Sequence, residues 1–173
     1  MRQTRLTDIL IFLLLLLAQI VICNFLHVTP YIMLSILPVM ILCLPVRYGP
    51  VVSMIIAFAS GMAVDLLAEG VPGLNTAALL PVAFARFQII RLVFGSELFA
   101  RGEDFTTQKS GMGKVTVAIL LAQTLFLVIY IWLDGAGIRP LWFNALRFVC
   151  SLAAGVAVSI FVADLMAGND RKN

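Results

Sequence analysis

Two residues in this chain stand where chemistry is most expensive. Asp65 lies in the run GMAVDLLAEG and Arg147 in the run FNALRFVC, both otherwise apolar. A charge at the centre of a membrane-spanning helix costs roughly 2.5–3.5 kcal/mol, so such a residue is compensated or functional. Arg86, in AFARFQII, is the third of this kind. Hydrolysis within a bilayer would need convergent groups: a serine with histidine or lysine, or two aspartates at one depth. The second aspartate in an apolar run, Asp164, sits near the opposite end of its segment from Asp65. The single histidine, His27, ends the first apolar run with no partner nearby. No nucleophile–base constellation results, and the reading excludes an enzyme.

Other candidates are blander. Cys23, Cys43 and Cys150 occupy separate apolar segments without CxxC spacing, so they read as small apolar residues. GMGK, ending at Lys114, lacks the spacing of a phosphate-binding loop. No metal, cofactor or nucleic acid is expected.

Spacing around the charges is more informative. Ser53, Ala57, Gly61 and Asp65 follow one another at intervals of four, as do Arg147, Ser151, Gly155, Ser159 and Ala163. Residues four apart share a helix face. Small residues on one face let a neighbouring helix approach closely, a main source of association in lipid. Each stripe carries a charge, and the signs are opposite. At ~1.5 Å per residue both charges lie ~21 Å above the inner edge of a ~30 Å core. The expectation is that Asp65 pairs with Arg147. Arg86 falls ~9 Å nearer the cytoplasmic side on the same arithmetic. It is the weaker candidate for Asp65, and could instead snorkel inward or meet Asp164.

Those residues must be positioned by membrane helices. Of the 173 residues 62% are hydrophobic and 12% charged, and the mean hydropathy is +1.06. Soluble domains carry about 45–50% apolar and ~25% charged residues, so a water-facing globule is excluded. Six apolar segments predict an all-α, polytopic bundle forming a single transmembrane domain over residues 1–173. They are Ile9–Val28, Tyr31–Val46, Val51–Leu67, Leu74–Phe94, Val115–Leu133 and Leu141–Met166. The first is read as a retained span, because a cleaved leader has a shorter apolar core. The second is short and contains Pro38, so it is expected to be kinked or tucked against protein. Pro/Gly turns connect the spans, except for one long polar loop at 95–113.

Basic residues orient the bundle. With the N-terminus inside, Arg2, Arg5, Arg47, Arg91, Arg101, Lys109, Lys114, Arg171 and Lys172 all face the cytoplasm. Only Arg139 lies outside, while Arg86 and Arg147 lie within spans. Nine against one predicts six spans with both termini cytoplasmic.

The stretch from Val51 to Phe94 carries a resemblance. A short span ending in Gly-x-x-x-Asp, a Gly/Pro break, then Gly-Leu-Asn opening an Ala/Leu-rich span, resembles the rod-shape-determining MreD family. The residues are Gly61, Asp65, Gly70, Gly73, Leu74 and Asn75. The resemblance is specific over about forty residues and compatible in outline elsewhere. It implies a non-catalytic bacterial inner-membrane scaffold that binds the bitopic protein MreC. Through MreC it would link cytoplasmic MreB filaments to the peptidoglycan polymerase and transpeptidase, and so maintain cell shape. It also implies a fold similar to the six-helix S-components of energy-coupling-factor vitamin transporters. Read onto this chain, the docking surfaces would be the Ser151, Gly155, Ser159, Ala163 stripe and the 95–113 loop. The competing reading is a small-molecule-binding transporter subunit, with Asp65, Glu69, Asn75, Arg86 and Trp142 lining a cavity between helices. Trp132 and Trp142 also fit an interfacial aromatic belt.

Overall fold

The computed structural model describes residues 2–25, 32–45, 48–95, 112–135 and 140–169, with side chains over 9–25, 32–45, 48–95, 113–135 and 140–164. Every regular element among them is helical. The order is α1 (Arg2–Phe25), α2 (Leu37–Leu42), α3 (Pro50–Val64) continuing into a π-helical turn (Asp65–Glu69), α4 (Leu74–Phe94), α5 (Met112–Gly135) and α6 (Leu141–Asn169).

Four stretches are long and apolar enough to cross a membrane: Pro50–Glu69, Leu74–Phe94, Gly113–Gly135 and Leu141–Asp164. The apolar part of α1, Ile9–Phe25, is shorter. These helices make the chain a membrane protein. Its outward surface fits that reading. Leu10, Leu14 and Leu17 of α1, Leu92 of α4, and Leu141 and Trp142 at the start of α6 are all more than half exposed. In lipid such side chains need no cover, whereas every backbone polar group does.

The segment expected as a second span is not one helix. Residues 32–36 adopt no regular structure, and only Leu37–Leu42 is helical. Pro38 lies in the first turn of α2. A proline there removes a donor that would be orphaned anyway, so it starts a helix instead of kinking one. Being tucked against protein is what the structure shows, since all six residues of α2 are buried. The other helices wrap around it. α1 packs on α3 and the π-helical turn, α3 on α4, α4 on α5, and α5 on α6, while α2 touches all five.

Burying an unwound segment in a membrane bundle raises a bonding problem, and side chains solve it. Gln19 of α1 donates from Nε2 to the Leu34 carbonyl (3.2 Å) and accepts at Oε1 from the Ile36 N–H (2.7 Å). One carboxamide thus replaces a neighbouring β-strand. On the other edge, Ser151 Oγ of α6 accepts the Met33 N–H at 2.9 Å. Gln123 Nε2 of α5 donates to the Ser35 carbonyl at 3.2 Å. All three side chains are 0% exposed.

Candidate functional site

Asp65 is fully buried and accepts five hydrogen bonds from a single place, the start of α4. Its Oδ1 receives the Asn75 backbone N–H (2.8 Å) and Asn75 Nδ2 (3.0 Å). Its Oδ2 receives the N–H groups of Gly73 (3.0 Å) and Thr76 (3.1 Å) and the Thr76 hydroxyl (2.7 Å). The first N–H groups of a helix have no partner within it and carry the positive end of its dipole. A capping side chain normally comes from the residue just before the helix. Here that residue is Gly73, with φ 100° and no side chain to offer. The carboxylate comes instead from the preceding span.

Local structure delivers it. The last turn of the α3 span is π-helical, closed by the Gly70 N–H on the Asp65 carbonyl (2.8 Å). Gly70 itself has φ 67°, a left-handed conformation that glycine adopts without strain. One turn earlier, Gly61 brings the two helix backbones together. A methyl group there would meet Thr76 Cα at 2.7 Å and Thr76 N at 3.0 Å. Neither atom can swing aside as a side-chain tip could.

Arg86 is the electrostatic counterpart at the other end of the α3–α4 pair, and it is 0% exposed. Its Nε donates to the Leu42 carbonyl at 3.1 Å, a second nitrogen donates to the Leu44 carbonyl, and Nη1 donates to Ser53 Oγ at 3.2 Å. Leu42 ends α2, so the guanidinium sits where unpaired carbonyls carry the negative end of a helix dipole. It does not snorkel. Both its expected fates are replaced by a buried cap on α2.

Arg147 is paired, but not with Asp65. Its Nη1 is bonded to Asp134 Oδ2 at the end of α5, and its guanidinium carbon lies 5.9 Å from the Tyr130 ring centroid. The Tyr130 hydroxyl donates to Glu69 Oε2 at 3.0 Å, tying this cluster to the π-helical turn. The expected Asp65–Arg147 pair is therefore corrected. α6 packs chiefly on α5 and α2, and Asp65 has its positive partner in the N-terminus of α4.

Both small-residue stripes are buried. Ser53, Ala57, Gly61 and Asp65 line the contact with α4. Ser151, Gly155, Ser159 and Ala163 face inward, with Gly155 beneath the Gln123 carboxamide. That second stripe is taken up by packing within the chain, which corrects its reading as a partner-docking surface. Of the 95–113 loop, positions 96–111 lie outside the described residues, as do His27, Arg47 and Arg139.

Sequence reasoning missed Thr76, Gln19, Gln123 and Asp134. Thr76 follows Asn75 at a helix start, where hydroxyl and amide donors suit an anion. Asp134 and Arg147 flank the short connection between consecutive helices, a placement that brings helix ends together. Gln19 and Gln123 are single carboxamides inside apolar runs, and an intramembrane polar residue already calls for a partner.

Among the described residues no group of three or more histidine, cysteine or acidic side chains could hold a metal ion. The arrangement defines a helical membrane protein whose buried charges cap helix ends. No family model, curated protein or solved structure matches the chain.

Proposed function

We propose that this chain is a non-catalytic scaffold of the MreD type in the bacterial inner membrane. It binds MreC directly and links MreB filaments to the elongation polymerase and transpeptidase, so maintaining cell shape. The observation that carries this reading is the saturation of Asp65. A carboxylate has about four acceptor positions, and five donors already converge on it. It has no capacity left for a substrate or a proton relay. The motif residues that carry the resemblance also work as one unit. Gly61 sets the approach of α3 to α4, Gly70 and Gly73 turn the chain, Leu74 opens α4, and Asn75 holds Asp65. The rival small-molecule reading loses its main ligands, because Asp65, Asn75 and Arg86 all bond within the chain.

In this proposal the chain crosses the membrane six times with both termini cytoplasmic, in keeping with the nine-to-one distribution of basic residues. The second crossing is made by the buried segment that contains residues 32–42, five without regular structure and six helical. Docking uses outward, lipid-facing side chains, because the inward stripes are occupied.

The test is co-expression with MreC of the same genome and purification in mild detergent. Co-elution at a fixed ratio is expected. A folded, monodisperse chain that leaves MreC behind, and whose melting temperature rises with a vitamin-sized ligand, would overturn the proposal.

A further inference from the structure

α1 lies at the edge of the bundle, on α2, α3 and the π-helical turn. Leu15, Gln19 and Cys23, four residues apart, are buried against the rest of the chain. On the opposite side of the helix Leu10, Leu14, Leu17 and Val21 are exposed, and so is Asn24 one step further on. Lipid covers a face of leucine and valine without cost, so the apolar residues alone call for no partner. Asn24 does.

Among the described side chains of α1, that of Asn24 is the one polar group that is exposed. One hydrogen of its Nδ2 goes back to the Ile20 carbonyl at 2.9 Å. A carboxamide has a second hydrogen and an oxygen that accepts twice. Neither is used by another bond among the described residues. At ~1.5 Å per residue Asn24 lies ~22 Å beyond Ile9, inside a ~30 Å core. Lipid tails offer no hydrogen bond there, and asparagine in a membrane helix bonds across to a neighbouring helix.

We propose that this face of α1 is a contact between two copies of the chain, with the two Asn24 carboxamides bonded to each other. A carboxamide is its own complement. The hydrogen not given to Ile20 donates to the oxygen of the other copy and receives the same bond in return. Membrane insertion gives both copies one orientation, so their Asn24 groups stand at the same depth. A two-fold axis along the membrane normal then brings like positions together. A helix of another protein would need a matching polar group at that level. Leu10, Leu14, Leu17 and Val21 precede Asn24 at alternating steps of four and three, the spacing of a seam between two helices. One polar residue in such a seam sets register and the number of strands. The inference rests on α1 crossing the membrane, as in the six-span reading, and not on the binding of MreC.

The test uses the full chain in native membranes, with Cys23, Cys43 and Cys150 replaced by alanine. Single cysteines are introduced as Leu14→Cys, Leu17→Cys and Val21→Cys and oxidised in the membrane. Phe161→Cys, 66% exposed on α6, gives the level of random collision. The three α1 positions are expected to yield a disulfide-linked product of twice the 18.9 kDa chain, well above the Phe161→Cys level. Adding Asn24→Leu should weaken the association about five- to tenfold, and Asn24→Gln, which keeps the carboxamide, by less. Linkage no higher than at Phe161→Cys, linkage that Asn24→Leu leaves unchanged, or linkage to a different protein would each overturn the proposal. A membrane-impermeant maleimide separates the causes of failure. A Leu17→Cys thiol that is protected yet unlinked refutes the dimer alone, whereas a labelled one refutes the spanning of α1 as well.

Discussion

Gly61 and Thr76 touch backbone to backbone: a Cβ at position 61 would lie 2.7 Å from the Thr76 Cα. This close approach lets the carboxylate one turn further on reach the amides of α4. Gly61→Ala must push the two helices apart, and overpacking of this kind costs about 1–3 kcal/mol. The melting temperature of the purified variant should fall accordingly. Gly49→Ala is the control, because a methyl group there meets nothing within 4 Å and its φ of −61° suits any residue.

Arg147 and Asp134 should behave as a pair in a charge swap. Reversing either alone places like charges together at the end of α5. Reversing both, Asp134→Arg with Arg147→Asp, should recover part of the lost stability, with a coupling on the order of 1 kcal/mol. The swap Asp65→Arg with Arg147→Asp should recover none. Rescue by the second swap and not the first would contradict the packing described here.

Arg86 caps α2 with a planar fork reaching two carbonyls and a hydroxyl. Arg86→Met leaves Leu42 and Leu44 with unpaired carbonyls inside the bundle and should destabilise by ~3 kcal/mol. Arg86→Lys keeps the charge but loses the fork, so it should fall between the two. A lysine variant as stable as the parent, measured by thermal unfolding, would show that charge alone matters.

Gln19 supports residues 34–36 from one side with both ends of its carboxamide. Gln19→Leu removes a donor and an acceptor at once, at about 1–3 kcal/mol for each backbone group left unpaired. Gln19→Glu keeps the acceptor for Ile36 and loses the donor to Leu34. Hydrogen exchange at Ile36 should accelerate in the leucine variant and remain slow in the glutamate variant.

How much of this was legible in the sequence differs from residue to residue. The helices read well, because an apolar run near 20 residues has few alternatives. α4 begins and ends at Leu74 and Phe94, as its composition predicts. The small-residue stripes were visible as close-packing faces, though not which neighbour each would meet. Asp65 and Arg147 stood out correctly as compensated charges, but depth along the membrane normal says nothing about which helices adjoin. The search also looked for a charged side chain, while the partner of Asp65 is a helix end, ready eight to eleven residues further on. Residues 31–46 read as a short span kinked or tucked at Pro38; the tucking is seen, but the sequence does not tell that only Leu37–Leu42 of the described part is helical. Their unwound form depends on Gln19, Gln123 and Ser151, from three elements distant in sequence, which only tertiary structure assembles.

The central claim is that Asp65 is an internal cap and takes no part in external binding. The most direct measurement pairs thermal unfolding of Asp65→Asn with its co-elution with MreC, assayed below the variant's melting temperature. Asparagine turns a donor toward donors at the α4 N-terminus, so stability should drop by ~3 kcal/mol, while the proposal has the folded variant co-elute with MreC as the parent does. An unchanged melting temperature together with loss of the complex would place Asp65 at the interface and contradict the account.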